Sequence, residues 1–319
     1  MGISVFPADG EDPDTLIQNA DRAMYVSKSE GKNNYRFFIT AMKTKALERL
    51  ELGSQFRHAL EREEISAFYQ VQVDSQTGRV FGVEALARWR HPQFGILNPE
   101  KFIGLAEEMG LIIPLSDWML FTACQQAQSW LAQGLPPVRL AVNLSDRDLK
   151  QPGIVERIES ALSKTGFPAN LLELELSENT IFRDLEAAAG VLANLKQLGL
   201  RLAIDDFGTG YSTLSQLAGF PFDTLKIDRR FATQLASSAA HAAIVSGIVT
   251  IAHNLGMEVI AEGVEDEQQL KFYKSAGCFN IQGRLFSEPN FPDKVVELIR
   301  SGVTPASEAL VARDRREVS

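Results

Sequence analysis

Short apolar runs alternate with stretches of helical period along most of this chain. "SAFYQVQV" and "RVFGVEALARW" flank the polar turn "DSQTG", which predicts an antiparallel hairpin. The later runs "VRLAVNLS", "LLELELSE", "RLAIDDFG", "TLKID", "EVIAEGVE" and "FNIQGRLF" are separated by gaps long enough for crossover helices. Segments such as "LAVNL" and "LAI" are apolar on both faces, as strands covered by helices must be. About eight strands with intervening helices over some 260 residues predict an α/β fold, a (β/α)8 barrel. A doubly wound open sheet is the alternative.

The first forty residues follow another pattern. "GISVFP" reads as a strand and "ADGEDPD" as a turn and helix start. "DTLIQNADRAMYVSKSEG" carries Leu16, Ile17, Ala20, Met24 and Tyr25 at helical spacing, with Gly31 as its C-cap. "NNYRFF" reads as a closing strand. One strand, one helix and one strand bury too little for a core of their own, so residues 1–40 read as a small α/β fragment, the end of a larger domain. Residues 41–62 are predicted as a linker helix, 63–303 as the barrel and 304–319 as a loose tail.

Bulk composition narrows the function. The net charge of −9 argues against a DNA-binding face, but leaves room for a small anionic ligand held through metals. Two distant cysteines, Cys124 and Cys278, in apolar surroundings point to reduced core thiols and a cytoplasmic setting. No signal-peptide pattern opens the chain. The most apolar stretch, "AAIVSGIVTIAHNLGM", is broken by Ser246, Thr250 and His253 and predicts a buried helix rather than a membrane span. A membrane anchor elsewhere in a larger parent protein stays open.

The chemistry lies at the strand ends. Glu84, Asn143, Glu178, Asp205, Asp206, Lys226 and Glu262 each close or follow an apolar run, and Arg88, Asp228, Glu265 and Gln282 lie close by. Strands sharing one direction bring those ends to one mouth of a barrel. Carboxylates crowded there need cations to neutralise them. Oxygen donors without His or Cys favour Mg²⁺ or Mn²⁺ over zinc. Adjacent Asp205 and Asp206 suit two cations about 3.5–4 Å apart, the spacing used for in-line hydrolysis of a phosphodiester. Lys226 is placed to orient the attacking water, and Arg88 has the fork geometry for a phosphate oxygen.

Each residue taken singly has a plainer reading. A strand-end acid is usually a helix cap or a solvated rim residue, and Asp228 can cap "DRRFATQL". One of Glu173 and Glu175 is expected to pair inside the barrel bottom. His58, His91, His241 and His253 are scattered and read as structural. The "DFG" at Asp206–Gly208 lacks the other protein-kinase motifs.

At these residues the chain resembles the EAL family of cyclic di-GMP phosphodiesterases. "EALARWRHPQFGILNPEKFIGLAEEMGLI", "VNLS", "ELSE", "IDDFGTGYSTL", "LKIDRRF", "AEGVE" and "QGRLFSEP" occur in the family's order across about residues 45–302. The opening "GISVFPADGEDPDTLIQNADRAMYVSKSEGKNNYRFF" resembles the last third of a GGDEF domain without its signature. The resemblance implies a TIM-barrel variant with one antiparallel strand, hydrolysis of cyclic di-GMP to linear pGpG with two Mg²⁺ or Mn²⁺ ions, and a homodimer. Ca²⁺ is expected to inhibit, because it prefers longer bonds and more ligands. The resemblance also implies Glu84, Asn143, Glu178 and Asp205 as metal ligands, and Asp206 and Glu262 as ligands of the second ion or its waters. Lys226 is implied to position the water, with Gln282 beside the nucleophile and Glu265 supporting the loop after "DDFGTG". Gln70, Leu86, Arg88, Asn143 and Gln282 are the implied substrate contacts. The chain departs from the family at Val71, Ser177, Phe279 and Arg284. The last two are expected near the substrate pocket and keep open a non-catalytic cyclic di-GMP receptor. Nothing in the spacing reads guanine, so other phosphodiesters also stay open.

Overall fold

The computed structural model describes residues 1–29, 35–38, 51–183, 185–210, 217–234 and 239–303. The chain divides into two compact units, residues 1–64 with 100–111, and residues 65–99 with 112 onward. In the first, β1 (Gly2–Ile3) pairs in parallel with β2 (Arg36–Phe37), and the helix Pro13–Ser29 packs on them. A Cβ at Gly2 would fall 1.9 Å from the Ala20 carbonyl oxygen, so glycine is what permits that approach. Residues 51–59 are helical, and Phe56 stacks on Phe102 of the helix Pro99–Glu108 with ring centroids 5.4 Å apart. The C-cap expected at Gly31, the first part of the helix expected over 41–62, and the tail lie outside the described residues.

The second unit is a closed barrel. The predicted hairpin is present as β3 (Ile65–Asp74) and β4 (Val80–His91), paired antiparallel, with the short β5 (Gly95–Leu97) added to β4. There follow β6 (Arg139–Leu144), β7 (Leu172–Ser177), β8 (Arg201–Phe207), β9 (Thr224–Ile227), β10 (Glu258–Ala261) and β11 (Asn280–Ile281). The ring runs β3-β11-β10-β9-β8-β7-β6-β4 and closes through β3–β4. Only β3 runs against its neighbours, so the other seven barrel strands end at one mouth. Leu172, Leu174 and Leu176 of β7 are fully buried, as expected of a strand covered by helices. Cys124 and Cys278 are both free and buried.

Alternation along the strands turns every second residue toward the barrel axis. At the mouth where β6 to β10 begin, this gives an ionic layer. Arg139 reaches Glu173 at 3.2 Å and Glu258 at 2.8 Å, and Arg201 reaches the same two acids at 3.2 and 2.9 Å. Thr224 donates to Glu173 Oε2 at 2.6 Å. The acids and guanidiniums are matched here, so this end of the barrel is closed by a neutralised plug. Glu173 is therefore the acid that pairs at the barrel bottom.

Candidate active site

Two residues further along β7 and β9 the balance changes. Lys226, fully buried, stands among four carboxylates: Glu175 at 2.7 Å, Glu262 at 2.8 Å, Glu84 at 3.3 Å and Asp205 at 3.4 Å. One ammonium cannot neutralise four acids. Burial works against its charge, but Asp205, Glu175, Glu262 and Glu84 together hold Lys226 protonated well above the usual lysine range. Burial, then the charge of Glu84, pushes Glu175 well above the ordinary carboxylate range. Burial also raises Glu262 and Asp205, and with the charge of Asp205 it lifts Asp206 to about 7. Glu84 moves the other way: Lys226 and hydrogen bonds from Gln282 and Asn143 outweigh its burial.

The donor set fits divalent cations. Glu175 is wholly buried; its Oε1 lies beside Lys226, and its Oε2 receives no hydrogen bond among the described residues. A buried acceptor without a donor is costly, and a cation removes that cost. Asp205, Asp206 and Glu262 each offer an oxygen within 4.8 Å of the others. The two adjacent aspartates reach this arrangement through a register shift between β8 and β9 and a left-handed backbone at Asp206, φ 54°. An aspartate held there is a strained position that recurs at functional sites. Oxygen ligands alone suit Mg²⁺ or Mn²⁺.

Asn143, Gln282 and Gln70 join the same centre. Asn143 donates to Glu84 Oε1 at 2.7 Å. Gln282 donates to Glu84 Oε2, and also to Gln70 Oε1 at 3.2 Å, while Gln70 donates to the Ser287 carbonyl at 2.9 Å. Gln72 donates to Gln282 Oε1 at 3.1 Å and fixes which way that amide faces. Toward the other end of the hairpin, Leu86 lies opposite Phe68 in the register, and the Arg88 guanidinium lies 5.6 Å from the Phe68 ring centroid. Asp228 behaves as a cap, accepting from the Arg230 backbone at 2.8 Å.

Two expectations change. Glu178, expected as a metal ligand, commits Oε2 to the backbone N–H groups of Gly208, Thr209 and Gly210 at 2.8, 3.1 and 3.0 Å. It therefore has the task of holding the loop after β8. A Cβ at Gly210 would stand 3.0 Å from its carboxyl, so the cradle needs glycine there. Glu265, expected to support that loop, is exposed and pairs with Arg284 at 3.5 Å, while residues 211–216 of the loop lie outside the described residues. Phe279, expected near the substrate pocket, immediately precedes β11. It therefore lies at the plugged mouth, where its carbonyl accepts from Ser75, and the acids gather at the opposite mouth. Gln72 is not among the expected site residues, and Glu175 is named only beside Glu173, as an acid expected to cap or pair. The signal for Glu175 was the period of two from Glu173, which marks both as axial.

The family model described as the EAL domain matches residues 54–289. The bifunctional diguanylate cyclase/cyclic di-GMP phosphodiesterase MucR of Pseudomonas aeruginosa is 42% identical over 289 residues, 91% of this chain and 42% of that protein. The cyclic di-GMP phosphodiesterase NbdA of the same organism is 39% identical, again over 91% of this chain and 37% of the relative. The chain thus spans less than half the length of these curated relatives. Among solved structures, the PaMucR phosphodiesterase in its c-di-GMP complex matches with TM-score 0.75 at 40% identity, over 77% of this chain and 99% of that one. The FimX EAL domain of Pseudomonas aeruginosa bound to c-di-GMP, 24% identical with TM-score 0.68 over 74% of this chain and 95% of that one, shares the fold.

Proposed function

The chain belongs to the EAL domain family, and from that premise we propose that it hydrolyses cyclic di-GMP to linear pGpG with the help of two Mg²⁺ or Mn²⁺ ions. The observation that carries the reading is the buried Glu175 oxygen without a donor, set among acids that one lysine cannot neutralise. Glu84, Asn143, Glu175 and Asp205 would hold one ion, and Asp205, Asp206 and Glu262 the other. Bound there, the ions supply an activated water and charge stabilisation on the phosphoryl oxygens.

The chain's own groups do the rest. Lys226, with four carboxylates within 3.4 Å, is suited to act as a hydrogen-bond donor and a positive charge. Gln282, its amide oriented by Gln72, fixes Glu84 from the side opposite Asn143. Arg88 is suited to a non-bridging phosphate oxygen, with Gln70 and Leu86 along the same hairpin. Water adds to phosphorus, one ribose oxygen leaves with a proton, and the ring opens to a 5′-phosphate and a 3′-hydroxyl. We place the protein in the cytoplasm and expect a homodimer. Calcium should inhibit, because it prefers longer bonds and more ligands.

Chromatographic product analysis after incubation with cyclic di-GMP and Mn²⁺ tests the reading. The expected product is pGpG, and Glu84→Ala should abolish it. Binding without any product with either Mg²⁺ or Mn²⁺ would make the chain a receptor.

A further inference from the structure

The segment that carries Gln282 onto the active mouth is pinned along its length. Gln282 N–H bonds the Ala261 carbonyl at 2.9 Å, and Leu285 N–H bonds the Val264 carbonyl at 3.1 Å. A Cβ at Gly283 would stand 2.1 Å from the Val264 carbonyl oxygen, so the two backbones touch at that glycine. Further on, Ser287 receives Gln70, and Asn290 exchanges two backbone hydrogen bonds with Tyr69, each at 2.8–2.9 Å. Leu285 and Phe286 are buried. Between these anchors Arg284 is left outside, 67% exposed, and is the one cation among residues 282–290. Its partners are Glu265 at 3.5 Å and Glu288 at 3.8 Å, both themselves more than half exposed. Pairs this long and this wet contribute little and exchange readily.

We propose that Arg284 is a rim cation for the substrate, leaving Glu265 and Glu288 to bind a phosphate of the cyclic dinucleotide. This rests on the phosphodiesterase reading of the same site. A ligand with two phosphodiesters approaches a mouth rich in carboxylates, and a guanidinium held at that mouth offsets the repulsion. A phosphate offers Arg284 a fork-to-oxygen match that two loose carboxylates do not. The backbone anchors mean that only the side chain has to swing. Arg284 follows Gln282 by two residues and pairs with Glu265, which follows Glu262 by three, so both flank residues of the centre.

The test is steady-state hydrolysis and calorimetric binding of cyclic di-GMP, with Arg284→Ala and Arg284→Lys beside the wild type at several salt concentrations. Arg284→Ala is expected to raise KM and Kd about tenfold with kcat nearly unchanged, as for one charge-assisted hydrogen bond lost from binding. Its KM should also depend less on salt. Arg284→Lys should recover part of the loss, since the charge returns without the fork. Unchanged KM and Kd in Arg284→Ala would overturn the assignment while leaving the phosphodiesterase intact. If the wild type binds without turnover, the catalytic reading fails and Kd alone judges Arg284. If it neither binds nor cleaves, both fail.

Discussion

Replacing Glu175 with glutamine keeps the shape of the side chain and removes one buried titratable group. Among the described residues its ion-pair partner is Lys226 at 2.7 Å, and its second oxygen receives no hydrogen bond. Lys226 does not depend on it, because Glu262, Glu84 and Asp205 remain within 3.4 Å. The amide also gains an N–H that a neighbouring carboxylate can accept. Relief of one unsatisfied buried acceptor is worth about 1–3 kcal/mol, and loss of one of four contacts to Lys226 offsets part of it. A net gain of about 1–2 kcal/mol raises Tm by roughly 2–6 °C in a domain of this size. In Mn²⁺ the order should reverse. Wild type at a hundredfold excess over Kd gains about 2.7 kcal/mol, while Glu175→Gln, with a weak neutral donor in place of a ligand, gains much less. Thermal melts in EDTA and in a Mn²⁺ series read both effects, with manganese calorimetry alongside. A lower Tm for Glu175→Gln in EDTA would mean that the Lys226 pair outweighs the unsatisfied oxygen. Full manganese stabilisation of the variant would remove Glu175 from the ligand set.

Other substitutions separate the roles of neighbouring residues. Glu178→Ala deprives three backbone N–H groups of their acceptor; kcat should fall about 10- to 100-fold as Asp205 and Asp206 lose their fixed setting, with faster proteolysis at 208–210, and an unchanged rate would dismiss this anchor. Phe279→Asp should leave KM and kcat as they are, since Phe279 lies at the plugged mouth; a shifted KM would contradict that placement. The metal-free protein should also be less stable at pH 8 than at pH 6. Asp205, Glu175 and Glu262 are raised, and Asp206 lies near 7. Stability tied to a raised acid is complete below its unfolded pKa and is lost as pH climbs through the folded value. The raised Lys226 loses its contribution only above its unfolded pKa, outside this window. Melts in EDTA at the two pH values check the direction, saturating Mn²⁺ should erase the difference, and a higher Tm at pH 8 would refute the account.

How much of this could be read from the residues depended on the period of the signal. Strands apolar on both faces, separated by crossover-length gaps, narrow the fold to a parallel α/β barrel or a doubly wound open sheet, because those are the folds that cover both faces of parallel strands. The antiparallel start was legible because a five-residue polar turn can only join strands running in opposite directions. Strand ends were legible for the same reason, since an acid after an apolar run marks the mouth. What stayed hidden is what alternation alone leaves degenerate. Glu173 and Glu175 share a face, and nothing local says which layer of the barrel each joins. That is decided by register across β6 to β10, which sets Arg139 and Arg201 beside Glu173 and leaves Lys226 to Glu175. Glu178 misled for a related reason. It stands one residue beyond the last paired position of β7, where a side chain leaves the axis and meets the next loop instead. Phe279 misled because two residues of β11 separate it from Gln282, and so short a strand already spans the distance between the two mouths. In each case the missing information is a contact between distant segments, with the partner more than twenty-five residues away.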